Sequence, residues 1–158
     1  MKRLLIALAL VGLTACGFQP VYAPGGSASF ASGNITVEEI PGRSGYMLRR
    51  ALQRELAAGL PNVNGPATLN VKLKERLTRL QFKPDGAASR SSFEAKCTYT
   101  LFIEGSSIGG DADFETSFTV PDEPYADISA QTSAADRAMR QLASRIVDDL
   151  RLQLSAAD

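Results

Sequence analysis

Residues 93–120 read FEAKCTYTLFIEGSSIGGDADFETSFTV. In its first half Phe93, Ala95, Cys97, Tyr99, Leu101 and Ile103 fall on one parity, and Glu94, Lys96, Thr98 and Thr100 on the other. Successive side chains of a strand point to opposite faces, so this is a strand with one apolar and one polar side. The second half repeats the pattern. Ala112, Phe114, Thr116, Phe118 and Val120 share one face, and Asp111, Asp113, Glu115, Ser117 and Thr119 the other. The glycine-containing run from Gly105 to Gly110 is expected to turn the chain between them. Two half-buried antiparallel strands need an apolar layer on one side only.

Working toward the N-terminus, Leu69, Val71 and Leu73 alternate with Asn70, Lys72 and Lys74, and the alternation continues loosely to Phe82. Glu75 falls in the apolar phase, which predicts a bulge or an edge near it. Lys83-Pro84-Asp85-Gly86 is a turn, because proline presets φ and glycine accepts positive φ. Before this, Leu48, Leu52, Leu56 and Leu60 recur every four residues beside Met47 and Ala51, a single helical stripe. Ser44 is its expected N-cap, and Gly59 with Pro61 ends it. Arg49, Arg50, Arg54 and Glu55 lie largely off the stripe. An earlier strand is expected at residues 35–40, stopped by Pro41-Gly42. After Pro121 and Pro124, a long helix is expected from about Ser129 to Leu154. Its stripe is Ala135, Met139, Leu142, Ile146 and Leu150.

The order is β-α-β-β-β-α. It predicts an α+β two-layer sandwich, a mostly antiparallel four-stranded sheet covered on one face by two helices. If the first two strands are parallel, the helix between them crosses right-handedly. The pattern shows a meander of the last three strands and leaves the rest of the strand order open.

The chain opens MKRLLIALALVGLTACGFQPVY. A positive start, a short apolar run and small residues before a cysteine form a secretory signal. The run is shorter than the roughly 20 residues needed to span a bilayer. The cysteine after Leu13-Thr14-Ala15 makes the segment resemble a bacterial lipoprotein signal. Cleavage would precede Cys16, and acyl chains on Cys16 would hold the protein to a membrane. Residues 1–15 are then the signal, residues 16–33 a lipidated, charge-free tether, and residues 34–158 one α+β domain. Gly17, rather than Asp, after the cysteine favours the outer membrane, with the domain on its periplasmic face.

With Cys16 used by the anchor, Cys97 has no partner for an intrachain disulfide and reads as a small buried hydrophobe. The chain has no histidine, so it lacks the usual general base and the commonest metal ligand. Ser91-Ser92 and Ser106-Ser107 have no adjacent base. An enzyme is not expected, and no cofactor is implied.

Lys+Arg and Asp+Glu number 17 each, but they are unevenly placed. Residues 67–96 carry Lys72, Lys74, Arg76, Arg79, Lys83, Arg90 and Lys96 against Glu75, Asp85 and Glu94. Residues 97–136 carry Glu104, Asp111, Asp113, Glu115, Asp122, Glu123, Asp127 and Asp136, with no Lys or Arg. Such asymmetry steers charged partners. Asp111, Asp113 and Glu115 place carboxylates about 7 Å apart along one strand face. They would complement a basic partner or take up divalent cations, and no calcium-loop motif accompanies them.

Cys16-Gly17-Phe18-Gln19-Pro20-Val21-Tyr22 resembles the start of mature LPS-assembly lipoproteins of the LptE family. The element order, the length and Ala134-Ala135-Asp136-Arg137-Ala138 in the last helix are similar as well. The resemblance implies a non-enzymatic outer-membrane protein that sits inside a large β-barrel, LptD, as plug and assembly aid, and binds lipopolysaccharide. On that footing the candidate lipopolysaccharide-binding residues are Lys72, Lys74, Arg76, Arg79, Lys83 and Arg90, since arginine and lysine recognise phosphates and carboxylates through charge-assisted hydrogen bonds. A solvated face, or contacts to an acidic barrel wall, is the competing reading of each. Phe18 and Tyr22 would pack the tether onto the partner or onto this domain, or belong to a loose spacer, and Phe102, on the polar strand face, is a candidate partner contact. An accessory lipoprotein of another envelope lipid-trafficking system of the ABC type is the alternative. The tethered compartment excludes nucleic acid.

Overall fold

The computed structural model describes residues 34–156. The expected signal and tether, with Cys16, Phe18 and Tyr22, lie outside the described residues. A four-stranded sheet in the order β1-β2-β3-β4 is formed by β1 (Ile35–Val37), β2 (Ala67–Phe82), β3 (Ala88–Ile103) and β4 (Ser106–Thr119). Helix α1 (Gly42–Glu55), extended by a 3-10 turn at Leu56–Ala58, joins β1 to β2, and α2 (Pro124–Ser155) follows β4. β1 and β2 are parallel, and the other pairs are antiparallel. Among the described residues, no helix is long and apolar enough to cross a membrane.

The alternation read from the sequence becomes the two faces of this sheet. Leu69, Val71, Phe93, Ala95, Cys97, Tyr99, Leu101 and Phe118 are buried. Against them α2 packs Ala134, Ala138, Met139, Leu142, Ala143, Ile146, Val147 and Leu150, each 0% exposed. This stripe is wider than the expected one because α2 packs on both the sheet and α1. Leu48, Leu52 and Leu56 of the α1 stripe are buried, as is Leu60 beyond the helix.

Element ends differ from expectation for local reasons. β1 is only three residues long, since Ile40 turns into the core and the last contact with β2 is Glu38 N–H to the Leu69 carbonyl at 3.0 Å. Ser44 does not cap α1. The helix starts directly after Pro41 with no side-chain cap, and Ser44 is buried in its first turn. α2 starts at Pro124 rather than near Ser129, because proline fits the first helical position, where its missing N–H has no partner anyway. The β3–β4 turn is only Glu104-Gly105, with Gly105 at φ 78°, and Ile103 pairs with Ser106. Residues 106–110 therefore belong to β4.

The expected irregularity near Glu75 is an edge. β1 covers β2 only at Ala67–Leu69, and the register runs unbroken past Glu75 to a shift at Arg79–Phe82. The β2–β3 turn forms as expected. Gly86 N–H donates to the Lys83 carbonyl at 2.9 Å, Gly86 adopts φ 85°, and Ala87 N–H donates to the Asp85 carboxylate at 2.9 Å.

Tyr99 carries a part-buried polar contact between the layers. The Tyr99 hydroxyl donates to Asp149 of α2, and Gln153 donates to the same carboxylate at 2.8 Å. Gly110 pairs with Tyr99, and a Cβ there would lie 2.8 Å from the tyrosine oxygen. Burial foremost, and then the Asp149 bond, raises the Tyr99 pKa. Burial pushes the Cys97 thiol up to about 11, with Asp111 and Asp113 adding to the rise.

Three outcomes follow from the packing. Leu101→Ala or Leu142→Ala costs about 2–5 kcal/mol in denaturant unfolding, as expected for buried leucines. Gly110→Ala lowers the melting temperature, because the new methyl collides with the Tyr99–Asp149 contact. The neutral Cys97 thiol holds its proton to higher pH in the folded chain than in the unfolded one. Stability is therefore full below about pH 9 and falls as pH rises toward about 11. Cys97→Ala shows a shallower loss over that window in pH-dependent melting.

Candidate functional site

The six cations do not form one cluster. Lys72, Lys74 and Arg76 are exposed on the face of β2 that no helix of the described residues covers. They stand opposite Thr98, Lys96 and Glu94 of β3. Lys96 joins them. It faces Lys74 directly, an unfavourable cross-strand pair on its own, and meets Glu94 at 2.6 Å. That bond, foremost, holds the Glu94 pKa low and the Lys96 pKa high. Arg90 lies on the same face nearer the hairpin turn and donates to the Ser117 hydroxyl at 2.8 Å. Lys83 sits in the turn and is ion-paired with Asp122, whose hydrogen bond is the main cause of its raised pKa. Arg79 is on the opposite face. It donates to the Ser91 hydroxyl at 3.2 Å and pairs with Asp127 of α2 at 3.9 Å.

The acidic tract occupies the other edge of the same open face. Asp111 stands opposite Thr98 and accepts its hydroxyl at 2.7 Å, while Asp113 faces Lys96 and Glu115 faces Glu94. Neighbouring strands are about 4.8 Å apart. The β2 cations and the β4 carboxylates are therefore separated by only about 10 Å, with β3 between them. The face is dipolar across its width: basic at β2, mixed along β3, acidic at β4. Glu115 accepts the Ser92 hydroxyl, and no three acidic or cysteine side chains of the described residues converge as metal ligands would.

The two ends of the sheet differ. The Ala67 N–H donates to the Asn34 carbonyl at 2.8 Å, so the chain enters the domain beside the start of β2. The Lys83 turn lies at the other end, about 50 Å away for 16 strand residues. Phe82, Leu80 and Leu77 are exposed toward this tip, and Phe102 is 50% exposed near the entry end.

Lys96 was legible as an even-parity partner of the β2 lysines once the hairpin register is known. A second basic set lies on the helices. Arg43, Arg50 and Arg54 share one stripe of α1 and face Arg140 of α2 across a groove. Their spacing of seven and four residues was the available signal.

The described fold matches known structures. A candidate lipoprotein from Caulobacter crescentus CB15 superposes with a TM-score of 0.65 at 27% identity, covering 81% of this chain and 95% of its own. Rare lipoprotein B from Shewanella oneidensis gives 0.58 at 10% identity, covering 78% and 96%. A minor lipoprotein from Acinetobacter baumannii gives 0.55 at 15% identity, covering 75% and 92%. No curated protein matches the sequence. The lipopolysaccharide-assembly family LptE matches over residues 31–150, nearly the whole described domain. A sheet with one open, charged face and two helices on the other, matched over that length, places the chain in the LptE lipopolysaccharide-assembly family.

Proposed function

We propose that the protein is an outer-membrane lipoprotein, held on the periplasmic face by acyl chains on Cys16, that assists lipopolysaccharide assembly at the cell surface. It does so as plug and assembly partner of an LptD-like β-barrel, and it binds lipopolysaccharide without catalysing a reaction. The family match over residues 31–150 carries this reading, and it favours this role over an ABC-type accessory.

Physical features agree with the role. Lipopolysaccharide presents clustered phosphates and carboxylates. Lys72, Lys74, Arg76 and Lys96 offer an exposed row of donors, and Lys83 and Arg90 offer two more at the hairpin tip. Arginine adds a planar, bidentate geometry. Arg79, tied to Ser91 and Asp127 on the far side, serves the hairpin's attachment to α2 instead. Chain entry beside Asn34 directs the tip away from the point of tethering. A chain without histidine, in an assembly family, acts by binding.

Lys83→Glu with Arg90→Glu weakens binding of purified lipopolysaccharide at least ~10-fold, about 1.4 kcal/mol, with melting unchanged. Wild-type affinity in a folded double variant removes both residues from the site. Depleting the protein leaves the barrel partner immature and lipopolysaccharide absent from the surface. Normal maturation and export under depletion overturn the role. Mass spectrometry of the native product shows acylated Cys16, and an unmodified thiol there overturns the anchor.

A further inference from the structure

On the helical side of the domain two grooves meet at Arg43 and Met47. One, of about 310 Å³, runs between the helices and is lined by Arg43, Tyr46, Arg50 and Arg54 of α1 and by Asp136 and Arg140 of α2. The other, of about 430 Å³, opens beside the first turns of α1. Met47, Leu77, Phe93, Ile128 and Ala135 form its apolar walls, with Glu75 and Arg76 of the β2 edge also on its border.

The cationic groove sets four guanidinium groups against the single carboxylate of Asp136, which Arg140 already holds. Among the described residues, Arg43, Arg50 and Arg54 form no ion pair. Arg50 lies over the Tyr46 ring, 5.7 Å from its centroid, which orients its planar fork. Arg50 and Arg54, four residues apart on a helix, repel one another. Apart from the Arg50–Tyr46 contact and the placing of Arg54 in the last turn of α1, folding gains little from this set, in contrast to Arg49, which donates to the Val37 carbonyl at 3.1 Å. The adjoining groove has the opposite character. Leu77 is 42% and Ile128 59% exposed, so apolar surface is left open next to the arginines.

Positive charge joined to an apolar trough complements a molecule with an anionic head and a hydrocarbon tail. Forked guanidinium groups suit a phosphate head, and each groove falls in the range of roughly 300–1,000 Å³ typical of ligand sites. We infer that the helical face carries a second site, which meets the open sheet face only at Arg76 of the β2 edge and takes a phosphorylated acyl lipid. Its phosphate is held by Arg43, Arg50, Arg54 and Arg140, and an acyl chain lies along Met47, Leu77, Phe93 and Ile128.

The test uses the full chain in a non-ionic amphipol, titrated by calorimetry with octyl phosphate, ethyl phosphate and octyl glucoside. Octyl phosphate binds at least tenfold more tightly than either of the others. R50E/R54E weakens it at least tenfold, whereas R137E/R151E, the same charge change outside the grooves, leaves it unaltered. Ile128→Ser lowers the preference for octyl over ethyl phosphate. If R50E/R54E melts early, Arg54→Gln, with a smaller loss, takes its place. Equal binding of octyl and ethyl phosphate, or wild-type binding by folded R50E/R54E and R54Q, overturns the site. Displacement of octyl phosphate by lipopolysaccharide micelles or by phosphatidylglycerol vesicles names the source lipid, and displacement by neither overturns the proposal. Neither barrel maturation nor binding at Lys83 and Arg90 enters these measurements, so the two readings fail separately.

Discussion

The register of β3 against its two neighbours governs the molecule. Because side chains alternate, the pairing of Leu101 with Leu69 and of Cys97 with Ala112 puts the buried apolar residues of the meander toward α2, while Phe102 stays half exposed on the other face. The same pairing puts every charge of the open face toward solvent. A slip of one residue would exchange the faces, bury Lys72, Lys74 and Lys96, and expose Tyr99 and Leu101. The burial of Leu142, Ile146 and Leu150 against one side makes that slip prohibitively unfavourable. Core packing and surface charge are thus the same constraint seen from two sides.

The length mismatch between elements shapes the rest. A strand of 16 residues is about 54 Å long, whereas the 14-residue α1 is about 21 Å. α1 therefore covers only part of the sheet beneath it, and α2 alone reaches toward the tip. This leaves the end of β2 with exposed Leu77, Leu80 and Phe82, and it opens the trough beside Met47. The tip is held to α2 by polar ties, Arg79 to Asp127 and Lys83 to Asp122, rather than by a continuous core. Surface ion pairs of this kind contribute little, so the hairpin tip is the segment best able to adapt to a partner.

Charge placement departs from a simple division into basic and acidic halves. The two tracts are thirty to forty residues apart in sequence, yet β3 brings them within about 10 Å on one face. Lys96 and Glu94 on the central strand join the two signs. The groove between the helices is more uniformly basic than the sheet face, since its four arginines face the single carboxylate of Asp136.

Local patterning was enough for the α+β class, the β-α-β-β-β-α order, the three-stranded meander, the face each strand residue occupies and the two helical stripes. These follow from periods of 2 and about 3.6, which are local properties. The resemblance at residues 16–22 and in the last helix pointed to the family that the match over residues 31–150 shows. Helix starts and turn lengths were less legible. A proline reads as a breaker whether it stops a strand or opens a helix at Pro124, and glycines read as a turn even where Gly109 and Gly110 are strand residues pressed against Thr100 and Tyr99. Which cations share a surface follows from the packed fold. It moved Arg79 behind the sheet, brought Lys96 beside Lys74 and gathered Arg43, Arg50, Arg54 and Arg140 into one groove. Such groupings depend on register and on helix-to-helix packing, long-range relations that no local spacing encodes.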